Sequence, residues 1–298
     1  MNNYTTISFP FFGIEIDPVR AIQIGPLNLY VYGILIGIGL MLAVIYGWKR
    51  CNQFGIKQDD ITDGVLWVVP FAIICARAYY CIFQWEEQFA SDPISVLYIW
   101  NGGLAIYGGI IGAVIGVAVF CYFKKIKLPA LLDLVLLGFL IGQSIGRWGN
   151  FFNREAFGGE TEVFIRMGLT NGYTGVTTYH HPTFLYESLW NAAGFVILHF
   201  LSKKRQYDGQ IALGYVLWYG LGRTFIEGLR TDSLMWGPLR VSQVLAGVTA
   251  IAASIALFVL STRRHNPAKL FVNQVQEVTV EEEAEETAEE EPEELEKD

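Results

Sequence analysis

The stretch NLYVYGILIGIGLMLAVIYGW, residues 28–48, contains no charged side chain and is followed at once by Lys49 and Arg50. About 20 apolar residues in a helix cross the ~30 Å hydrocarbon core of a bilayer, so this block reads as a transmembrane helix with a basic anchor. Six further apolar blocks with few charges lie at about 64–84, 103–123, 130–147, 184–202, 210–228 and 240–261. The predicted fold class is all-α: a polytopic membrane protein with about seven transmembrane helices. The bulk numbers agree. Of 298 residues 52% are hydrophobic and 17% charged, and the mean hydropathy is +0.35. The first 26 residues show no basic region leading into a cleavable apolar run, so no removable signal peptide is expected.

The fourth block is short and runs into a Gly/Asn-rich stretch. A polar outer loop at about 148–183 follows it, and structureless loops of that length are commonly functional. Residues 1–270 are expected to form the transmembrane domain. Residues 271–298 form an acidic tail that carries most of the net charge of −8. Such runs lack the apolar content to build a core and are expected to be disordered and solvated. Cys51, Cys75, Cys81 and Cys121 lie in or beside apolar segments without metal-ligand spacing, which suits buried thiols.

Cytoplasmic loops of membrane proteins are enriched in Lys and Arg. Lys49, Arg50 and Lys57 follow the first span and Lys124, Lys125 and Lys127 the third. Lys203, Lys204 and Arg205 follow the fifth, and Arg263, Arg264 and Lys269 the seventh. The expected topology has the N-terminus outside and the C-terminus cytoplasmic.

That topology leaves a set of arginines it does not explain. Arg77 lies in the outer half of the second span. Arg147 ends the fourth, with Arg154 and Arg166 beyond it, and Arg223 and Arg230 close the sixth. A charge within a span costs at least ~2.5–3.5 kcal/mol on insertion scales and normally has a partner or a water-filled cavity. Arg223, Glu227 and Arg230, at i, i+4 and i+7, share one helix face. Arg147, Asn150 and Arg154 repeat at i, i+3 and i+7, with Asn153 and Glu155 beside them. The guanidinium fork matches phosphate oxygens and stays charged. Two uses fit this pattern: a phospholipid head-group site, or internal pairing with Glu155, Glu187, Glu227 and Asp232. Glycines at 108, 112 and 116 and at 138, 142 and 146 form stripes that let transmembrane backbones pack closely. They put Tyr107 and Arg147 near the outer ends of two helices that are candidates for contact.

GRWGNFFNREAFG, Gly146 to Gly158, resembles the signature G-R-x-G-N-F-x-N-x-E-x-x-G of the bacterial prolipoprotein diacylglyceryl transferases. The likeness extends to LYVYGILIG around Tyr32, ARAYY, NGGLAIYGG, HHPTFLYE and YGLGRTFIEGLRTD. It implies transfer of a diacylglyceryl group from phosphatidylglycerol to the lipobox cysteine thiol of a preprolipoprotein signal peptide, in the lipid bilayer of the bacterial inner membrane and facing its outer leaflet. By motif position it implies phosphate handling by Arg147 and Arg223. Tyr32, Arg77, Asn150, Asn153, Gly158, Glu187, Glu227 and Arg230 are implied around the substrate. Some members carry a histidine where this chain has Tyr107. A tyrosine, with a reference pKa of about 10, is a poor acceptor for a thiol proton near neutral pH. Either Glu155 takes that proton, or cationic surroundings ionise the thiol by lowering its pKa; Tyr107 is left to orient the head group. No cofactor, metal or nucleic-acid partner is expected. His180 and His181 are adjacent, and no third ligand is in register with them. The rival from another class is a transporter for an anionic solute, which predicts internal repeats and polar groups near the bilayer midplane.

Overall fold

In the hydrocarbon region every backbone N–H and C=O must be bonded internally, and the apolar blocks meet that demand as helices. A computed structural model describes residues 4–25, 27–99, 102–231, 235–237 and 239–279; Trp100, Asp232 and the acidic run from residue 280 lie outside them. Among the described residues there are seven α-helices of 18 residues or more: α1 Val31–Arg50, α2 Gln58–Phe83, α3 Ile106–Lys124, α4 Leu128–Asn153, α5 Thr183–Ser202, α6 Gln210–Glu227 and α7 Val241–Ser261. Six are long and apolar enough to span a membrane; α6, with Arg223 and Glu227 in its last turns, is the one that composition leaves out. Only 11–39% of each span window is buried, so most of the apolar side chains face outward, as they do when lipid is the solvent.

The chain divides into two compact units, residues 47–132 with 268–298 and residues 1–46 with 133–267. In the first of these, α2 and α3 pair through the α3 glycine stripe. A Cβ on Gly108 would lie 2.5 Å from the Cys75 carbonyl oxygen, and one on Gly112 2.5 Å from Cys75 Cβ. Lys124 Nζ joins the same two helices at their other ends, 3.0 Å from Asp60 Oδ1 and 2.5 Å from Asp63 Oδ2. Residues 271–279 are helical, and Val272 Cα lies 2.7 Å from where a Gly55 Cβ would be.

In the other unit the α4 glycines meet α1. Gly138 faces Ala43, Gly142 faces Gly39 and Gly146 faces Ile36, while the ring of Tyr32 occupies the space a Gly149 side chain would need. The two stripes therefore serve two helix pairs, α2 with α3 and α1 with α4. The fourth helix is longer than its sequence suggested, continuing through Asn150 to Asn153. It stops at Arg154, whose φ of 54° lies in the left-handed region. Arg154 is thus off the helix, and the i+7 alignment with Arg147 does not form.

The N-terminal segment and the loop after α4 hold strands the helical reading did not anticipate. β1 Tyr4–Phe9, β2 Ile14–Ile16, β5 Met167–Asn171 and β6 Thr177–His180 form an antiparallel sheet in the order β2-β1-β5-β6. Its Ile7, Met167 and Leu169 pack with Phe151 of α4 and Phe184 of α5, which ties the sheet to the ends of those helices. Two hairpins, β3 Ala21–Ile24 with β4 Leu27–Tyr30 and β7 Met235–Trp236 with β8 Leu239–Arg240, lead directly into α1 and α7. The four cysteines are free thiols.

Gly108 and Gly109 offer an internal comparison, since a Cβ on Gly109 would sit 3.6 Å from Ala76 Cβ, an ordinary contact. Gly108→Ala is expected to lower stability by about 1–3 kcal/mol through overpacking, read as a lower Tm in detergent, while Gly109→Ala leaves Tm unchanged. Equal effects would refute the α2–α3 interface.

Candidate active site

The last two turns of α4, the first two of α5 and the last two of α6 bring their polar residues together. Two reciprocal clasps set the register. Between α4 and α5, Ser144 Oγ donates to the Ser188 carbonyl at 2.9 Å and Ser188 Oγ to the Ser144 carbonyl at 2.8 Å; Trp148 Nε1 adds a bond to Ser188 Oγ at 3.1 Å. Between α5 and α6, Trp190 and Trp218 stack at 4.4 Å, and each indole N–H donates to the other's carbonyl at 2.9 Å. Gly194 and Gly222 leave the space for those indoles. At the far end of α6, fully buried Asp133 on α4 accepts the N–H groups of Gly209 and Ala212, both at 2.8 Å. It caps a helix that has no capping side chain of its own.

The product of this registration is a hub at Glu187. Arg147 Nη2 of α4 lies 2.6 Å from Glu187 Oε2, while Arg223 Nη1 of α6 and Arg230 Nη1 of the following turn lie 3.5 and 3.3 Å from Oε1. Arg223 Nη2 also pairs with Glu227 at 2.6 Å, the i, i+4 contact. Arg240, at the entry to α7, donates to the Glu227 carbonyl. The burial is asymmetric: the side chains of Glu187 and Glu227 are 6% and 2% exposed, those of Arg147 and Arg223 24% and 19%. The carboxylates sit behind and the guanidiniums in front. Each arginine has five N–H donors; Arg147 makes one short contact, the 2.6 Å ion pair, and one long bond, to Asn150 Oδ1 at 3.5 Å. The hub can therefore accept a further anion without breaking its internal pairs.

Beside it, Asn150 Nδ2 and Asn153 Nδ2 both donate to Glu155 Oε1, at 3.1 Å each, and no described residue bonds Oε2. Tyr32 lies over Gly149, two residues along α4 from Arg147. Gly158 is a point of close approach: a Cβ there would lie 2.7 Å from His181 Cβ and 2.9 Å from the Leu229 carbonyl, and Gly158 bridges to Arg230. His180 is held by the Gly158 carbonyl at 3.0 Å and Thr178 Oγ1 at 2.9 Å. His181 lies 3.3 Å from the Tyr186 hydroxyl, and burial, helped by His180, pushes its pKa down. Both histidines have structural work at the foot of α5.

Arg77 and Tyr107 belong to the α2–α3 unit. Arg77 was expected to face substrate, yet all five of its donors go to carbonyls: Nε to Val96, Nη1 to Gly102 and Gly103, and Nη2 to Ser95 and Tyr98, at 2.7–3.5 Å. It organises the loop before α3. Tyr107 is exposed on the first turn of α3, and the head-group role expected for it rests on the sequence alone. Arg154 is also internal: it bonds Asp17 and the Thr5, Phe152 and Pro18 carbonyls. Sequence reasoning missed Arg240 and the clasps. Arg240 was visible as an arginine at the start of the last apolar block; serine and tryptophan in apolar blocks carry no such signal.

The family model described as prolipoprotein diacylglyceryl transferase matches residues 19–260. A phosphatidylglycerol–prolipoprotein diacylglyceryl transferase of Listeria monocytogenes serotype 4a (strain HCC23) is 43% identical over 258 residues, covering 85% of this chain and 92% of the relative. The protein of that name from Bacillus cytotoxicus is 44% identical over 260 residues, 85% of this chain and 95% of its own. The one from Limosilactobacillus reuteri (strain DSM 20016) is 40% identical over 269, 87% and 96%.

Glu187→Gln would leave three guanidiniums without their shared counter-charge. Breaking such a buried pair is expected to cost about 3–5 kcal/mol, read as a lower Tm in detergent, with part of the loss recovered when an anionic phospholipid is added. An unchanged Tm would remove Glu187 from the centre of the hub.

Proposed function

The chain belongs to the prolipoprotein diacylglyceryl transferase family, and on that premise we propose that it transfers the diacylglyceryl group of phosphatidylglycerol to a prolipoprotein. The acceptor is the thiol of a lipobox cysteine in the substrate's signal-peptide region. The observation that carries the site assignment is the Glu187 hub, in which Arg147 and Arg223 reach one carboxylate from separate helices with their own faces partly open. A phosphate diester at that place finds two guanidinium forks and a site already held together without it.

The cysteine sulfur attacks the diacylglyceryl carbon that bears the phosphate oxygen. The S–C bond forms as the C–O bond breaks, and the electron pair leaves with glycerol phosphate, which gains negative charge as it departs. Arg147 and Arg223 stabilise that charge where it develops, commonly the largest catalytic term. The thiol proton passes to Glu155, whose Oε1 is anchored by the two asparagine amides and whose Oε2 is unengaged by described residues. The cationic surroundings assist by lowering the thiol pKa. Asn150 borders the same space through its bonds to Arg147 and Glu155, the family motif adds Tyr32 to the substrate contacts, and Glu227 and Arg230 keep Arg223 and Glu187 in place. The lysine pattern favours a cytoplasmic C-terminus and a site facing the outer leaflet of the bacterial inner membrane. No specific observation favours the transporter reading.

Arg147→Ala and Arg223→Ala are each expected to lower thioether formation on a lipobox peptide in phosphatidylglycerol vesicles by ~10²–10³-fold, followed by mass detection. Lysine at either position restores charge without the fork and rescues only part. Full activity in both alanine variants would end the clamp.

A further inference from the structure

Glu155 stands between two residues that are not glycine yet have left-handed backbone: Arg154 and Ala156, each with φ of 54°. A left-handed non-glycine residue is disfavoured and persists only where its surroundings over-determine it. Both flanks meet that condition. On one side the Arg154 side chain, 4% exposed, reaches away from the arginine hub into the N-terminal segment. Its Nε donates to the Thr5 carbonyl at 2.7 Å and its Nη2 to the Pro18 carbonyl at 2.8 Å, with Asp17 paired to the same nitrogen and Phe152 bonded through Nη1 at 3.3 Å. On the other side Thr183 Oγ1, fully buried at the start of α5, donates to the Ala156 carbonyl. The backbone of Glu155 is tied back to α4 through its N–H and the Asn150 carbonyl at 3.0 Å.

With its side chain 4% exposed and each of its three guanidinium nitrogens bonded to a carbonyl or a carboxylate, Arg154 is committed to the N-terminal segment rather than presented to a phosphate. We infer that Arg154 is a positioning residue: it straps the turn after α4 to the residue 5–18 segment and so holds the Glu155 carboxylate where a thiol proton can be delivered to Oε2. The N-terminal segment thereby contributes to catalysis without touching substrate. This rests on the reading of Glu155 as proton acceptor. Reacting groups tolerate little displacement, and a misplacement of about 1 Å can cost ~10²-fold in rate.

The test uses the full chain in phosphatidylglycerol vesicles with a lipobox peptide, measuring kcat, KM for phosphatidylglycerol, and Tm. Arg154→Ala is expected to lower kcat ~10–100-fold with KM for the lipid unchanged, because the Arg147–Arg223 pair is not disturbed; Arg154→Lys regains part of kcat. Wild-type kcat in Arg154→Ala, or a fall in kcat accompanied by matching changes in KM and Tm, overturns the inference. So does wild-type kcat in Arg154→Gly, which accepts the backbone angle without the strap. Glu155→Gln separates the two layers. If it retains full activity the proton-acceptor reading itself fails, whereas an inactive Glu155→Gln beside a fully active Arg154→Ala sinks only the strap.

Discussion

The cluster where the end of α4, the start of α5 and the end of α6 meet depends on one buried carboxylate. Removing an ion from water costs several kcal/mol even after relaxation, and a buried pair repays this only with good geometry and further hydrogen bonds. Glu187 meets that condition by serving Arg147, Arg223 and Arg230 together. Without it, three positive groups brought to one place by three segments of chain would repel. With it, they converge, and Arg147, held by one short contact and one long bond, keeps donors for something else.

The convergence requires a helix register fixed to a fraction of a turn. Apolar packing cannot provide this in a bilayer, where lipid tails are as apolar as leucine and helices associate through close packing and interhelical hydrogen bonds. The devices found here are of those two kinds. Gly138, Gly142, Gly146 and Gly149 let α1 and α4 approach, and the Ser144–Ser188 and Trp190–Trp218 clasps fix α5 against its neighbours. Glu187 precedes Ser188 by one residue and Arg223 follows Trp218 by five, so the clasps act within a turn or two of the charges they position.

The sequence made the spans readable because each is a nearly uniform apolar block whose length the bilayer dictates. It made the Arg223–Glu227 pair readable because i, i+4 spacing is a property of any helix. What it hid depended on backbone or distant partners. The end of α4 was obscured by Gly and Asn, which favour termination; here Asn150 and Asn153 are held by bonds to Glu155, and Gly146 and Gly149 are packed against Ile36 and Tyr32. Arg154 followed the right spacing for a hub residue, and only its left-handed φ takes it out of the helix and into the N-terminal segment. Arg77 stood out as a charge within a span, yet the carbonyls that satisfy it lie 18–26 residues away in the loop before α3. The strands were short, two to six residues, and two of those in the sheet come from the N-terminus, so no local run announced them.

Internal pairing and phosphate binding read as rival uses for the arginines; in the proposed reaction the two work together, with a consequence for catalysis. An incoming phosphodiester in the proposed reaction carries one charge and must share donors with Glu187, so its ground-state binding is moderated by the carboxylate already present. The departing glycerol phosphate carries more charge than the diester it came from, and competes better for the same donors. Interactions that strengthen as the bond breaks lower the barrier, whereas those equally strong before and after do not. A fully unpaired arginine cluster would hold the lipid tightly from the outset and gain less at the transition state. In the proposed reaction Glu187, by occupying part of each guanidinium, would make the clamp respond to the difference in charge between substrate and leaving group, and that difference is what a transferase of this kind must recognise.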